Sequence, residues 1–233
     1  MIKKKFYYQS PPSVDVSKLN GMLIVIEGMD SSGRSTQINM LTSWLEQKGY
    51  AVAQVGLKRS QLVGETIEQA KQGNILSART MSLFYSTDFY DQLENRMIPA
   101  LRAGYIVLAD RYIFTLMARD IVRGAEKEWV KNLYSMAIVP EAVFFLDASW
   151  KTLVDRTLKA HATLDYWESG MDIGISRDWF DSFAMYQKKM HAEFTYLQKE
   201  YGFDMINASR SPKLVDSELR GRIQLLLDKY YTK

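Results

Sequence analysis

The chain has 233 residues, 47% hydrophobic and 24% charged, with a net charge of +3, the make-up of a soluble globular chain with room for one sizeable core. That charge is too small to argue for nucleic acid, and the cluster Lys3-Lys4-Lys5 reads as a solvated tail. The absence of cysteine excludes disulfides, thiol nucleophiles and thiolate metal sites, and the longest apolar runs, such as MLIVI (22–26) and VFFL (143–146), fall far short of the ~20 residues that span a bilayer.

Residues 1–20 are basic without an apolar core, so they do not make a secretory signal. With Pro11-Pro12 and small polar residues they read as an extension ahead of one domain over 21–233, in a chain whose lack of cysteine fits the cytoplasm. The run 22–26 predicts a buried strand; GMDSSGRST (28–36) follows it directly and opens a helical pattern over 34–48. Strand, glycine-rich turn and helix in that order are what a phosphate cradle requires. Gly28 and Gly33 permit backbone conformations closed to other residues. The loop amides, through Ser31 and Ser32 to the helix N-terminus, then meet an anion, and Ser35, with Thr36 beside it, offers a hydroxyl to Mg2+. Arg34 stands where lysine is expected; a planar fork keeps the positive charge but changes the fit to a γ-phosphate. The plainer alternative is a serine-rich turn that caps a helix.

Beyond the loop, 51–55 predicts a strand, 62–72 and 80–102 helices, 105–109 a strand, 115–138 a helix, 142–146 a strand, 150–159 a helix, 203–207 a strand and 212–230 a helix. Apolar strands alternating with helices imply an α/β fold, a doubly wound parallel sheet of about five strands flanked by helices. Ile38, Leu41, Trp44 and Leu45 form one apolar stripe and Leu93, Met97 and Leu101 another; both are core. Segment 160–181 has mixed polarity and no clean period, and reads as a mobile flap between two helices. Asp110 and Arg111 end the strand 105–109, where such sheets bind ligands. The arginine can hold a phosphate bidentately and the aspartate can support Mg2+ through water; the alternative is a surface ion pair. Asp147 has the same address but reads as a cap for the next helix. His161 and His191 show no metal or catalytic spacing and read as surface residues.

LIVIEGMDSSGRSTQ (23–37), followed in order by RSQLVGE (59–65), LFYSTD (83–88), Asp110-Arg111-Tyr112, PEAVFFLD (140–147), DYWESG (165–170) and NASRSP (207–212), resembles the thymidylate kinase family of nucleoside monophosphate kinases over about residues 21–230. The resemblance implies a P-loop fold with a lid flap, and transfer of the γ-phosphoryl group of ATP, with Mg2+, to a (deoxy)nucleoside monophosphate, most simply dTMP to dTDP. It places Asp30, Arg34, Asp110 and Arg111 at the reaction centre, with Asp30 near the acceptor's sugar or phosphate and Arg59 and Arg111 on the acceptor phosphate. Phe84, Asp88, Phe89, Tyr112, Arg119 and Tyr166 fall around the acceptor. Gly28, Ser31, Ser32, Gly33, Arg34, Ser35 and Thr36 fall on the donor phosphates, Asn207 and Ala208 at the donor base, and Ser35 and Asp110 toward Mg2+. Lys151, Arg156, Lys159 and Arg177 flank the flap, and either Arg156 or Arg177 would supply a charge-stabilising arginine. A homodimer is the family's common state; neither nucleic acid nor a membrane is implied as a partner.

The departures gather on the acceptor side. Phe89 stands where the family usually has an arginine against the pyrimidine, Arg119 and Asp120 replace a tyrosine and a glutamine, and Leu57-Lys58 replaces an acidic Glu-Pro turn. Buried polar groups left unpaired cost about 1–3 kcal/mol each, so such exchanges change which base is accepted. Two alternatives stay open: a nucleotide-binding relative with weak catalysis, and a kinase of another small acceptor.

Overall fold

The computed structural model describes residues 4–11, 14–73, 76–160 and 164–231. Five parallel strands form one sheet: β1 (Met22–Gly28), β2 (Val52–Gly56), β3 (Ile106–Asp110), β4 (Ala142–Asp147) and β5 (Asp204–Asn207), in the order β2-β3-β1-β4-β5. Every residue of β1 is buried, as a strand covered on both faces must be. With β3 on one side of β1 and β4 on the other, the strand order reverses there, and the crevice at the carboxyl end of β1 is the switch point at which ligands bind.

The helices are α1 (Arg34–Gln47), α2 (Gly64–Gly73), α3 (Ala78–Gln92), α4 (Ile98–Arg102), α5 (Ile113–Val122), α6 (Lys127–Leu133), α7 (Trp150–Ala160), α8 (Trp179–Tyr201) and α9 (Pro212–Tyr231). The pattern over 80–102 resolves into α3 and α4 joined by a π turn at Leu93–Met97. Pro99 has no amide to donate, so a rung of the ladder is missing at that point. Leu93, Met97 and Leu101 nonetheless all point into the core. The single helix expected over 115–138 divides into α5 and α6, because Gly124 takes a left-handed φ of 89° and ends the first of them. The helix expected after the flap is α8, which packs against α5.

The solvated-tail reading of the lysine cluster is corrected at Lys4. Its ammonium is buried and donates to Glu141, whose carboxylate also accepts the Leu23 amide at 2.7 Å. The strap that carries it runs along the segment before β4: Phe6 bridges Ile138, and the amides of Tyr7 and Tyr8 donate to the carbonyls of Ala137 and Ser135, both at 3.0 Å. Lys5 is exposed, and Lys3 lies outside the described residues.

Candidate active site

The turn after β1 is shaped by its glycines. Gly28 has φ 152°, and a Cβ there would lie 2.7 Å from the Ser32 hydroxyl and 2.9 Å from the Leu146 carbonyl oxygen, so no larger residue fits. Gly33 turns the chain into α1 with φ 98°, and Ser31 holds a left-handed φ of 62°, uncommon outside glycine. The first helical bond of α1 runs from Gln37 N to Gly33 O at 3.2 Å, and the Ser32 amide is taken by Met29 O at 3.2 Å, which leaves the amides from Gly33 to Thr36 for an anion. Ser35 and Thr36 are exposed at this end.

Arg34 is folded under the loop. Nη1 donates to the carbonyls of Gly28 and Met29, and Nε donates to Asp110 Oδ1 at 3.2 Å. Its side chain is only 9% exposed, and burial lowers its pKa against the opposing pull of Asp110 and Glu27. The arginine therefore binds the loop to the end of β3, which a point-charge ammonium could not do through the same set of bonds.

Asp30 gathers three guanidiniums: Arg111 donates to it, and Arg119 and Arg34 stand 3.7 and 3.8 Å from the same oxygen. Asp110 and Glu168 share in neutralising Arg34 and Arg119, and the donors of Arg111 and Arg119 that these carboxylates do not use can take a further anion. Arg111 holds a left-handed φ of 69°, and its buried Nε has no partner among the described residues. Burial pulls its pKa down to about 10, leaving it a cation at neutral pH. Its position is set by Glu27, fully buried at the end of β1, which accepts the Tyr112 amide at 2.9 Å, the Thr115 amide at 3.2 Å and the Thr115 hydroxyl at 2.6 Å. That carboxylate anchors the start of α5 beside the loop.

Asp110 accepts the Ser35 hydroxyl at 3.0 Å and lies 3.6 Å from Arg59. The structure thus brings Asp30, Arg34, Ser35, Asp110, Arg111, Arg119 and Arg59 into one group. Among the described residues no cluster of three His, Cys, Asp or Glu side chains forms. The Ser35 and Asp110 oxygens instead make the partial, hard-oxygen shell that Mg2+ completes with phosphates and water, so the residues present fit that ion.

On the acceptor side the structure corrects three expectations. Asp88 is fully buried and accepts the amides of Lys58 at 2.9 Å and Ser60 at 2.8 Å, holding the loop that carries Arg59. Phe89 is also buried, its ring 5.2–5.8 Å from Tyr90, Tyr112 and Tyr134, so it is core and not a platform for a base. Tyr112 is buried with its hydroxyl on the Ile138 carbonyl at 2.9 Å. Phe84 is half-buried against the core, and Tyr166 packs edge-on to Trp167 and Trp179 in the flap.

Beside the arginine group a small cavity of about 30 Å3 opens between α3, α5 and the flap, lined by Met81, Tyr85, Leu116, Arg119, Asp120 and Trp167 among others. Tyr85 was not anticipated; it sits one position from Phe84 on α3, and the motif LFYSTD does not reveal which of the two faces inward. Glu168, 3.9 Å from Arg119, lies two positions after Tyr166 in the motif DYWESG, and nothing in its spacing marks it as a site residue. Asp120 accepts from Ser82, and burial raises its pKa to about 6.

On the donor side Arg156, from α7, donates to Ser32 O at 3.1 Å and Ala208 O at 3.0 Å, tying the phosphate loop to the turn after β5. Thr157 donates to the Ser31 hydroxyl at 2.8 Å. Asn207 is exposed and shapes that turn by accepting the Ser209 amide at 3.0 Å, while Ala208 is buried. Arg177, Lys151 and Lys159 are exposed. The cap of α7 is Ser149, whose hydroxyl accepts Thr152 N at 3.3 Å; Asp147 instead faces the exposed His191 at 3.4 Å. His161 lies outside the described residues.

The whole arrangement has relatives. A family model described as thymidylate kinase matches residues 26–219. The chain is 34% identical over 203 residues to "Probable thymidylate kinase 2" of Saccharolobus solfataricus, covering 87% of this chain and 95% of that protein. This chain belongs to the thymidylate kinase family. It is 27% identical to "Probable thymidylate kinase" of Thermococcus kodakarensis, covering 88% and 98% of the two chains, and 28% identical to the protein of the same name from Thermococcus onnurineus, covering 85% and 95%. As a member of this family it is a phosphotransferase, and the five-stranded parallel sheet with its loop at the switch point is the scaffold on which it works.

Proposed function

We propose that this protein transfers the γ-phosphoryl group of ATP to a deoxynucleoside monophosphate, converting dTMP to dTDP. The observation that carries the reading is Asp30, at which guanidiniums from the phosphate loop (Arg34) and from the start and body of α5 (Arg111, Arg119) meet. Donor phosphates and an acceptor phosphate held by these two elements lie against each other there, and in-line positioning with charge neutralisation is most of what phosphoryl transfer asks of a protein.

The free amides of the loop and of the first turn of α1 hold the donor phosphates. Arg59 and Arg111 take the acceptor phosphate, and Arg111 exchanges its bond to Asp30 for the phosphate oxygens. Asp30 then serves as the keeper of the arginine geometry between turnovers. Ser35 and Asp110 would hold Mg2+, which when bound neutralises charge on the donor phosphates. Arg156, already on the loop carbonyl of Ser32, is better placed than the exposed Arg177 to stabilise the transferring group. Asn207 and Ala208 form the edge against the donor base. No described helix is long and apolar enough to cross a membrane; a cytoplasmic homodimer is the state we infer from the family, and a solution mass tests the dimer.

A second reading, a nucleotide binder with weak turnover, is favoured by one feature: Arg34 is engaged by Gly28, Met29 and Asp110. A panel of nucleoside monophosphates with ATP and Mg2+ separates the two. Turnover of dTMP supports the kinase; nucleotide binding without turnover of any acceptor supports the second reading.

A further inference from the structure

Arg123, on the last turn region of α5, takes no part in the reaction outlined above, yet it has the most complete set of partners of any arginine near the site. Its Nε and Nη2 donate to the two carboxylate oxygens of Asp172 at 2.7 and 3.1 Å. Nη2 also donates to Trp167 O at 2.9 Å, and Nη1 to the Tyr186 hydroxyl at 2.7 Å. The guanidinium lies 5.1 Å from the Tyr186 ring centre and 5.8 Å from that of Trp167. Both members of the ion pair are nearly buried, with side chains 9% and 8% exposed. A buried, bidentate pair with added carbonyl and hydroxyl bonds is strongly directional, and losing one partner leaves the other charged and unpaired.

Asp172 and Trp167 belong to the flap. The same stretch carries Glu168, which faces Arg119, and Arg119 is one helical turn before Arg123 on α5. Among the described residues Arg119 makes only long contacts, 3.7 Å to Asp30 and 3.9 Å to Glu168, so its donors are open to a ligand. A cavity of about 30 Å3 beneath Trp167 and Glu168 holds water-sized guests only. A nucleoside therefore fits only once the walls move apart about the point at which Arg123 fastens the flap.

We propose that Arg123 is a positioning residue: paired with Asp172, it clamps the flap segment 165–173 onto α5, sets Glu168 opposite Arg119, and so governs access of the acceptor to the pocket between α3, α5 and the flap. This rests on the kinase reading for its kinetic consequence but not for the clamp itself. On acceptor binding the Arg123–Asp172 pair stays made, and the flap on either side of it shifts to admit the base and then holds it.

The test uses full-length protein and two variants, Arg123→Lys and Asp172→Asn, which break the bidentate pair from opposite sides. Hydrogen exchange of the amides of 165–173, without nucleotide, is expected to speed up in both variants while the strands exchange as before. In turnover, the acceptor KM is expected to rise about tenfold or more, the size of a lost charge-assisted bond, with the ATP KM unchanged. Unchanged exchange of 165–173 in Asp172→Asn, or an ATP KM that moves as far as the acceptor KM, would overturn the proposal. Since exchange is read without turnover, a wild-type protein inactive on every monophosphate would defeat the kinase reading while the exchange arm still decided the clamp.

Discussion

At position 34 a lysine would bring one ammonium to a place where the arginine bonds three separate acceptors, Gly28 O, Met29 O and Asp110 Oδ1. Arg34→Lys is expected to leave at least one of these unmade, at a cost of about 1–3 kcal/mol in urea unfolding, and to lower kcat/KM for the phosphoryl transfer. A gain in kcat/KM would mark the arginine as a lesion in the loop. Arg156 bridges Ser32 O and Ala208 O, so Arg156→Ala is expected to lower kcat and to raise the KM for ATP about tenfold while leaving the acceptor KM in place, measured by initial rates. Asp120 gives a pH signature. Burial raises its pKa from 3.8 to about 6, against the opposing pull of Ser82, Arg123 and Arg119. Between those values the folded chain keeps a proton that the unfolded chain has released, so stability falls as pH rises through that window, by about 1.4 kcal/mol per unit, and levels off above it. Asp120→Asn removes that slope, which urea midpoints across the window will show.

Among the elements, the loop with its flanking strand and helix was the most legible, because glycine spacing, an apolar strand and a helical period fall within 26 residues, Met22 to Gln47, and all depend on local chemistry. Helix α3 was the least legible. Its motif identified the helix, but an error of one position in register turns Tyr85 into Phe84, and the sequence offers no period sharp enough to say which faces the pocket. The same helix buries Phe89 among Tyr90, Tyr112 and Tyr134, and Phe89→Ala is expected to cost about 3–5 kcal/mol in unfolding free energy, the range of an emptied aromatic site. A loss below ~1 kcal/mol would mean that the ring is free to face a ligand after all. The flap's mixed polarity signalled an irregular segment. Nothing in its composition foretold that Asp172 would meet Arg123 across 49 residues, since such a pair has no period to betray it.

Across the whole molecule, alternating strands and helices made the α/β class plain, and the family resemblance supplied the order of the landmarks. What composition could not supply was the strap. Lys4 reads as one of three tail lysines, yet it reaches Glu141, 137 residues away, and shares that carboxylate with the Leu23 amide at the start of the central strand. Glu141→Gln is expected to leave a buried ammonium without its counter-charge and to cost about 3–5 kcal/mol, read as a lowered urea midpoint, whereas a solvated tail would show no change. The strap pins the end of the sheet opposite the switch point, so it supports the scaffold and leaves the chemistry to the other end. Phosphoryl transfer in this molecule depends on two phosphate-holding elements meeting at Asp30. The rate of diphosphate formation from each nucleoside monophosphate with ATP and Mg2+ tests this most directly: turnover with dTMP at the highest kcat/KM of the panel is expected, and a preference for another acceptor, or no turnover of any, would contradict it.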